Sequence, residues 1–140
     1  MNDSFCFSVR VYWEDTDGGG VVYYANYLKY LERARTEFLR QLGFEQDDLL
    51  QQNILFVVRQ VTVDYIRSAH FNALLRVETT IEHLKKASLV FQQQIFQLDA
   101  EREVLVNRAR VKVACVSADG FKPTAIPEDI YTQLGPYSHE

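Results

Sequence analysis

The hydrophobic period of this chain turns helical once and then reverts, and that limits the fold more than any other feature. From Tyr27, apolar residues recur three or four apart at Tyr27, Leu31, Ala34, Phe38 and Leu42, which lays a single apolar stripe along a helix. Glu32, Arg33, Glu37 and Arg40 fall mostly off that stripe. Gly43 stands where a helix ends favourably, since glycine takes the backbone conformation of a C-terminal cap without steric cost. The other periodic segments alternate. Residues 5–13 put Phe7, Val9, Val11 and Trp13 on one side, with Arg10 and Tyr12 on the other. Residues 55–65 put Val57, Val61, Val63 and Tyr65 on one face, and Leu75, Val77, Thr79 and Ile81 repeat the pattern after a break at 67–72. Residues 89–98 and 104–116 are joined by the short polar connection Asp99-Ala100-Glu101-Arg102, and the last strand alternates through Leu105, Ala109, Val111, Val113 and Cys115 to complete a meander.

The order strand, helix, four strands predicts an α+β fold: a five-stranded antiparallel sheet with one long helix packed on it. Residues 45–53 read as a polar connection and Asp119-Gly120 as a turn. Pro127 is expected to open a short terminal helix that Gly135-Pro136 closes. One helix shields only part of five strands, and open sheet edges carry unpaired backbone groups, so a symmetric dimer is expected to bury the rest. With 140 residues, 47% of them hydrophobic, residues 1–140 suit one domain with a substantial core.

Several functions find no support. Net charge is -4 and the Lys and Arg residues are dispersed, so no nucleic-acid partner is expected. Cys6 and Cys115 have no close His neighbours and form no CxxC pair, and they read as two buried thiols. His70, His83 and His139 lack ligand spacing, so neither a metal nor another cofactor is expected. Ser68 and Ser88 lack a glycine elbow, which argues against a serine triad. No apolar run approaches the roughly 20 residues of a membrane span, and the polar start MNDSFCFSVR has no signal-peptide core; the expected location is the cytoplasm.

Chemistry points to residues 14–27, EDTDGGGVVYYANY, where acidic residues precede three glycines and a helix-starting aromatic segment. An acid there lies beside the donor-rich, positive end of the helix. Asp17 is positioned to attack a bound acyl carbonyl or to activate water, and the amides near Tyr23, Tyr24 and Ala25 are candidate oxyanion donors. The same spacing suits Asp15 or Asp17 as a plain turn cap, and spacing alone favours that reading. Asp15 and Glu14 are not expected to supply a second catalytic acid, and the ERARTE run at 32–37 reads as an exposed ion-pair face.

The run EDTDGGGVVYYANYLKYLERARTEFL closely resembles the D-x-D-x-x-G signature and helix of the hotdog-fold acyl-CoA thioesterases of the 4-hydroxybenzoyl-CoA thioesterase family. FVVRQVTVDY and VKVACVSADGFKPTAIP extend the resemblance over nearly the whole chain, toward the YbgC-like branch associated with the Tol-Pal envelope system. The resemblance implies a hotdog fold, a sheet wrapped around one long helix, as a homodimer or a dimer of dimers (homotetramer). It implies hydrolysis of an acyl-CoA thioester to free acid and CoA, with Asp17 as nucleophile or general base and the Tyr24 and Ala25 amides on the oxyanion. Tyr23, Tyr24 and Tyr27 are expected to wall the acyl pocket, and Lys85, Lys86 and Ser88 to meet the CoA phosphates. The site is expected to span the dimer, with residues 64–72 (DYIRSAHFN) contributed by the other subunit. Tyr24 stands where that branch usually has histidine, a far better base near neutral pH, whereas the hydroxybenzoyl-CoA enzymes have tyrosine there. An aryl-CoA substrate is therefore an alternative. A binding module for acyl-CoA or acyl carrier protein without catalysis is another, and acyl carrier protein is a second possible carrier.

Overall fold

The computed structural model describes residues 3–138. Its strands are β1 (Phe5–Arg10), β2 (Ile54–Tyr65), β3 (Leu74–Glu82), β4 (Ser88–Asp99) and β5 (Arg102–Ser117). Its helices are α1 (Asn26–Gln41), α2 (Gln46–Gln51) and α3 (Glu128–Leu134). The five strands form one antiparallel sheet in the order β1-β3-β4-β5-β2.

The sequence order of strands is not their spatial order. β3, β4 and β5 form the expected meander, but β2 pairs with β5 on the far edge and does not touch β3. The connection 66–73 carries the chain across the end of the sheet. Along it the N–H groups of Ile66 and Arg67 donate to the Val106 carbonyl, Ala69 accepts from the Val22 N–H, and the Asn72 N–H donates to the Val11 carbonyl.

α1 lies against one sheet face, and its apolar stripe supplies the core. Tyr27, Tyr30, Leu31 and Ala34 pack among Leu75, Val77, Ile95 and Ala109, while Phe38 and Leu39 pack among Ile81, Phe91, Val111 and Val113, closed below by Ile130 and Leu134 of α3. Each large apolar side chain so buried contributes about 1.5–3 kcal/mol. Gly43, at φ +99°, ends α1 as expected. Among the polar side chains built into this interior, Gln93 of β4 is fully buried, and its Nε2 donates to the Leu31 carbonyl (3.1 Å) and to Thr79 Oγ1 (3.0 Å), stapling helix to sheet.

Local departures from the expected periods have identifiable causes. β1 ends at Arg10 because the next residues bond to a loop: the Val11 N–H donates to Ala73, and Asp15 Oδ2 accepts the Tyr12 N–H. Trp13 therefore leaves the core face and stands exposed against Phe71. Residues 45–53 contain α2, whose Leu49 is buried. A bulge between Val58 and Gln60 moves Val57 off the face of Val61 and puts Phe56 and Val58 there instead. A second bulge, opposite Ile95 and Phe96, leaves Val106 unpaired and buried, so Leu105 does not share the face of Ala109. Of the two thiols only Cys115 is buried; Cys6 lies on the outer side of edge strand β1, within 3.2 Å of Arg76 Nη1. His139 falls outside the described residues.

α1 packs mainly toward β1 and β3 and leaves part of β2 uncovered. On the helix-facing side of β2, Val58, Val61 and Tyr65 are 49%, 41% and 47% exposed, and Leu28 on the facing flank of α1 is 41% exposed. Apolar residues aligned along an edge strand in this way are what a covering surface would bury.

Candidate active site

The acidic loop is held by its own backbone. Thr16 bridges Val22, the Asp17 N–H donates to the Val21 carbonyl (3.0 Å), and the Tyr23 N–H donates to Asp15 (2.9 Å). Between these contacts the glycines turn the chain, with Gly18 and Gly20 both at φ +89°, a region that side-chain-bearing residues rarely enter. Asp15 is the turn-capping acid: its carboxylate accepts the Tyr12 N–H, and its carbonyl accepts from the Tyr23 N–H and from Asn26 Nδ2 (2.7 Å). Asn26 thereby ties the first residue of α1 to the loop. Asp17 Oδ1 accepts the Gly19 N–H at 2.7 Å, and the side chain remains exposed. Both acids thus make turn bonds, but only Asp17 also presents its carboxylate outward.

Just beyond the loop, α1 begins without a side-chain cap, since its N-cap is Ala25. Among the described residues the N–H groups of Tyr24 and Ala25 have no protein acceptor. Free amide donors at a helix start are a site for negative charge. A cavity of about 220 Å³ opens there, lined by Val22, Tyr24, Tyr27, Tyr65, Ile66, Arg67 and Ser68. Tyr24 and Tyr27 line this cavity, while Tyr23 does not and packs its ring on Tyr24 at 4.9 Å. The Tyr27 hydroxyl is committed, accepting the Ala69 N–H (2.9 Å); burial pushes this phenol above its ordinary pKa and that hydrogen bond partly opposes the rise. Tyr65 OH donates to the Tyr24 carbonyl, fixing the peptide unit that carries the free Ala25 N–H. Residues 65–68 line this cavity within the same protomer.

Lys85, Lys86 and Ser88 lie elsewhere. They form the β3–β4 turn, where the Lys85 N–H donates to Ser88 and the Lys86 carbonyl accepts from Ile126. Lys85 and Ser88, but not Lys86, line a cavity of about 270 Å³ on the outer face of the sheet, with Gln60, Thr62, His83, Arg110 and Lys112. Along β4, Ser88 is seven residues from Ile95, whose β5 partner Asn107 pairs with Tyr65. That places the basic turn roughly 23 Å from the acid end of its own protomer.

Tyr65 belongs to the 64–72 segment expected to reach the site from the other subunit, and here it lines the cavity of its own protomer. Gln93 is not singled out by the sequence reading, although it leaves a trace there as the one polar residue in the buried alternation Leu89, Phe91, Gln93, Ile95.

An antiparallel sheet packed on a helix whose first turn abuts an acidic glycine loop defines the hotdog class of α+β proteins. Residues 11–134 match the family model described as "Thioesterase-like superfamily", and the chain belongs to that family. The acyl-CoA thioesterase YbgC of Haemophilus influenzae is 44% identical over 131 residues, 93% of either chain. The acyl-CoA thioester hydrolase YbgC of Escherichia coli O6:H1 is 45% identical over 130 residues, 93% of this chain and 95% of the other. Among solved structures, a probable thioesterase from Bartonella henselae is 36% identical, with a TM-score of 0.79 over 89% of this chain and 100% of its own. No helix among the described residues is long and apolar enough to cross a membrane.

Proposed function

We propose that the protein hydrolyses acyl-CoA thioesters to the free acid and CoA, with Asp17 as the catalytic carboxylate. The observation that carries this reading is the pair of uncommitted N–H groups at Tyr24 and Ala25, at a helix start that Asn26 ties to the loop bearing the exposed Asp17 carboxylate. With the acyl carbonyl oxygen on those amides, charge developing there is stabilised by fixed donors and the helix dipole. As general base, Asp17 takes a proton from water as the water oxygen bonds to the carbonyl carbon. The tetrahedral adduct then collapses, breaking the C–S bond and releasing the thiolate, which takes up a proton. As nucleophile, the carboxylate itself displaces the thiolate to form a mixed anhydride that water cleaves to the same products. The Tyr24 side chain shapes the cavity in either route and is not the base.

The working unit is a homodimer. Pairing two β2 edges about a two-fold axis near Val61 would cover Val58, Val61 and Tyr65 and continue the sheet. Antiparallel pairing of that kind sets the basic turn of one protomer near the acid end of the other, which removes the separation along β4 within one chain. Lys85 and Ser88, together with His83, Arg110 and Lys112, then meet the CoA phosphates. An aryl-CoA substrate is favoured by one observation, the three tyrosine rings of Tyr24, Tyr27 and Tyr65 around the cavity.

The test is hydrolysis of short-chain, long-chain and aryl thioesters by the purified protein, on CoA and on acyl carrier protein, read as release of free thiol. Turnover of CoA thioesters is expected. CoA binding with no turnover of any member would make the protein a binding module.

A further inference from the structure

The cleft between α1 and β2 does not stop at the helix start. Tyr24 and Tyr65 stand at one end, Leu28 and Val61 follow on the same two elements, exposed in the single protomer, and a second cavity of about 120 Å³ lies farther along the two elements. Apolar side chains supply most of this chamber, among them Leu39, Phe56, Leu89, Phe91 and Val113. Arg35 is the cation in its lining, and burial lowers its pKa from the ordinary guanidinium value, a mark of how far it has left water.

Arg35 is fixed but not satisfied. Its Nη1 donates to Gln93 Oε1 at 3.0 Å, and Gln93 is itself held by Leu31 and Thr79, so the guanidinium is braced against the sheet. Among the described residues no carboxylate lies within ion-pair distance of it; Glu32, which also lines the chamber, acts on it only through space, partly opposing the effect of burial on its pKa. A guanidinium carries five N–H donors in a plane, and their best complement is a carboxylate bound by two of them. A partly dehydrated, braced guanidinium with spare donors in an apolar chamber has the chemistry of a receptor for a chain that ends in oxygen.

We propose that this chamber receives the distal end of the acyl group and that Arg35 selects acyl groups ending in a carboxylate. The inference rests on the thioesterase reading above and specifies its substrate. From Tyr24, two residues before α1, to Arg35 is eleven residues, about 16 Å at the rise of a helix. An extended chain advances roughly 1.2 Å per bond, so the nine C–C bonds of a ten-carbon α,ω-dicarboxylic acyl group span about 11 Å, and a hydrogen bond of about 2.9 Å at each end extends the reach to about 17 Å, with the thioester at the helix start and the free carboxylate at Arg35.

The test compares decanoyl-CoA with the monothioester decanedioyl-CoA, which differ only at the distal end. The wild-type protein is expected to show a kcat/KM at least about tenfold higher for decanedioyl-CoA, the scale of a charge-assisted hydrogen bond. Arg35→Met should erase that ratio and Arg35→Lys should keep part of it, with the ratio measured within each variant so that changes in amount of folded protein cancel. Equal rates for the two substrates in the wild type, or preference for decanoyl-CoA, would overturn the assignment of Arg35 while leaving the thioesterase reading intact. If Arg35→Met dissociates the dimer and leaves the ratio unchanged, Arg35 pairs with a second copy of the chain and the inference fails. No hydrolysis of either substrate, or of the wider panel, would overturn both.

Discussion

Gly19→Ala probes the position of Asp17 with a single methyl group. A Cβ on Gly19 falls 3.1 Å from Asp17 Oδ1 and 3.9 Å from its Cγ, and nothing else lies within 4 Å. Ordinary contact begins near 3.4 Å, so the carboxylate has to move by about 0.3 Å, the difference between these two distances. Alanine keeps the N–H that donates to Oδ1, and the backbone at this position is not in the left-handed region, so the fold tolerates the change. A misplacement of about 1 Å can cost a hundredfold in turnover, which scales to roughly fourfold for this shift. The assay is kcat at saturating acyl-CoA, read as thiol release, beside urea unfolding of the same preparations. Gly18→Ala and Gly20→Ala are the controls. Both sites have φ +89° and open space around the added methyl, so they should lose about 1–2 kcal/mol of stability from backbone strain, without a direct push on the acid. An unchanged kcat in Gly19→Ala, with stability intact, would refute the claim that the placement of the Asp17 carboxylate limits catalysis.

Other consequences follow from the interior. Gln93→Leu removes two neutral hydrogen bonds and one to a guanidinium, and should cost about 4 kcal/mol in chemical denaturation; adding Thr79→Val should recover about 1 kcal/mol by deleting the orphaned hydroxyl, and a loss under about 1 kcal/mol would show that the staple is not used. Asn107 is fully buried and both its amide atoms lack a partner among the described residues, so Asn107→Leu should raise stability by about 1–2 kcal/mol, whereas a loss would reveal a bonding partner for the amide. Burial holds the Tyr27 and Tyr30 phenols and the Cys115 thiol above their ordinary pKa values. A raised folded-state pKa stabilises below the unfolded value and ceases to as pH passes the folded one, so unfolding free energy should decline above about pH 9, the thiol titrating first; a flat profile to pH 11 would contradict this.

The sequence made the helix, the alternating segments and the terminal helix legible because each is set by local periodicity. The Tyr27–Phe38 stripe is buried as its spacing requires, and Pro127 and Gly135 bracket α3. What periodicity misses is non-local. The transfer of β2 to the far edge is set by the connection 66–73, whose mixed polar and apolar sequence carries no sign of where it leads. The bulges at Arg59 and Val106 shift the faces of Val57 and Leu105, because one extra residue inverts a two-residue period. In the site, the acid and the helix start were legible because they are contiguous in sequence. The Tyr65 wall and the Arg35–Gln93 pair join residues 41 and 58 positions apart, and only the folded sheet brings those together. Likewise the chain alone shows that Lys85 and Ser88 form a basic turn, but not that their own protomer sets them far from Asp17.

The central claim, that the Asp17 carboxylate performs the hydrolysis, is tested most directly by kcat of Asp17→Asn on the best acyl-CoA of the panel. The substitution is nearly isosteric, the side chain is exposed, and its retained oxygen can still accept the Gly19 N–H, so the variant should fold and assemble as the wild type does. Turnover should fall by about 10²–10⁴-fold, the usual contribution of a positioned acid or base. Turnover within tenfold of wild type, in a variant with unchanged unfolding midpoint and oligomeric state, would contradict the account.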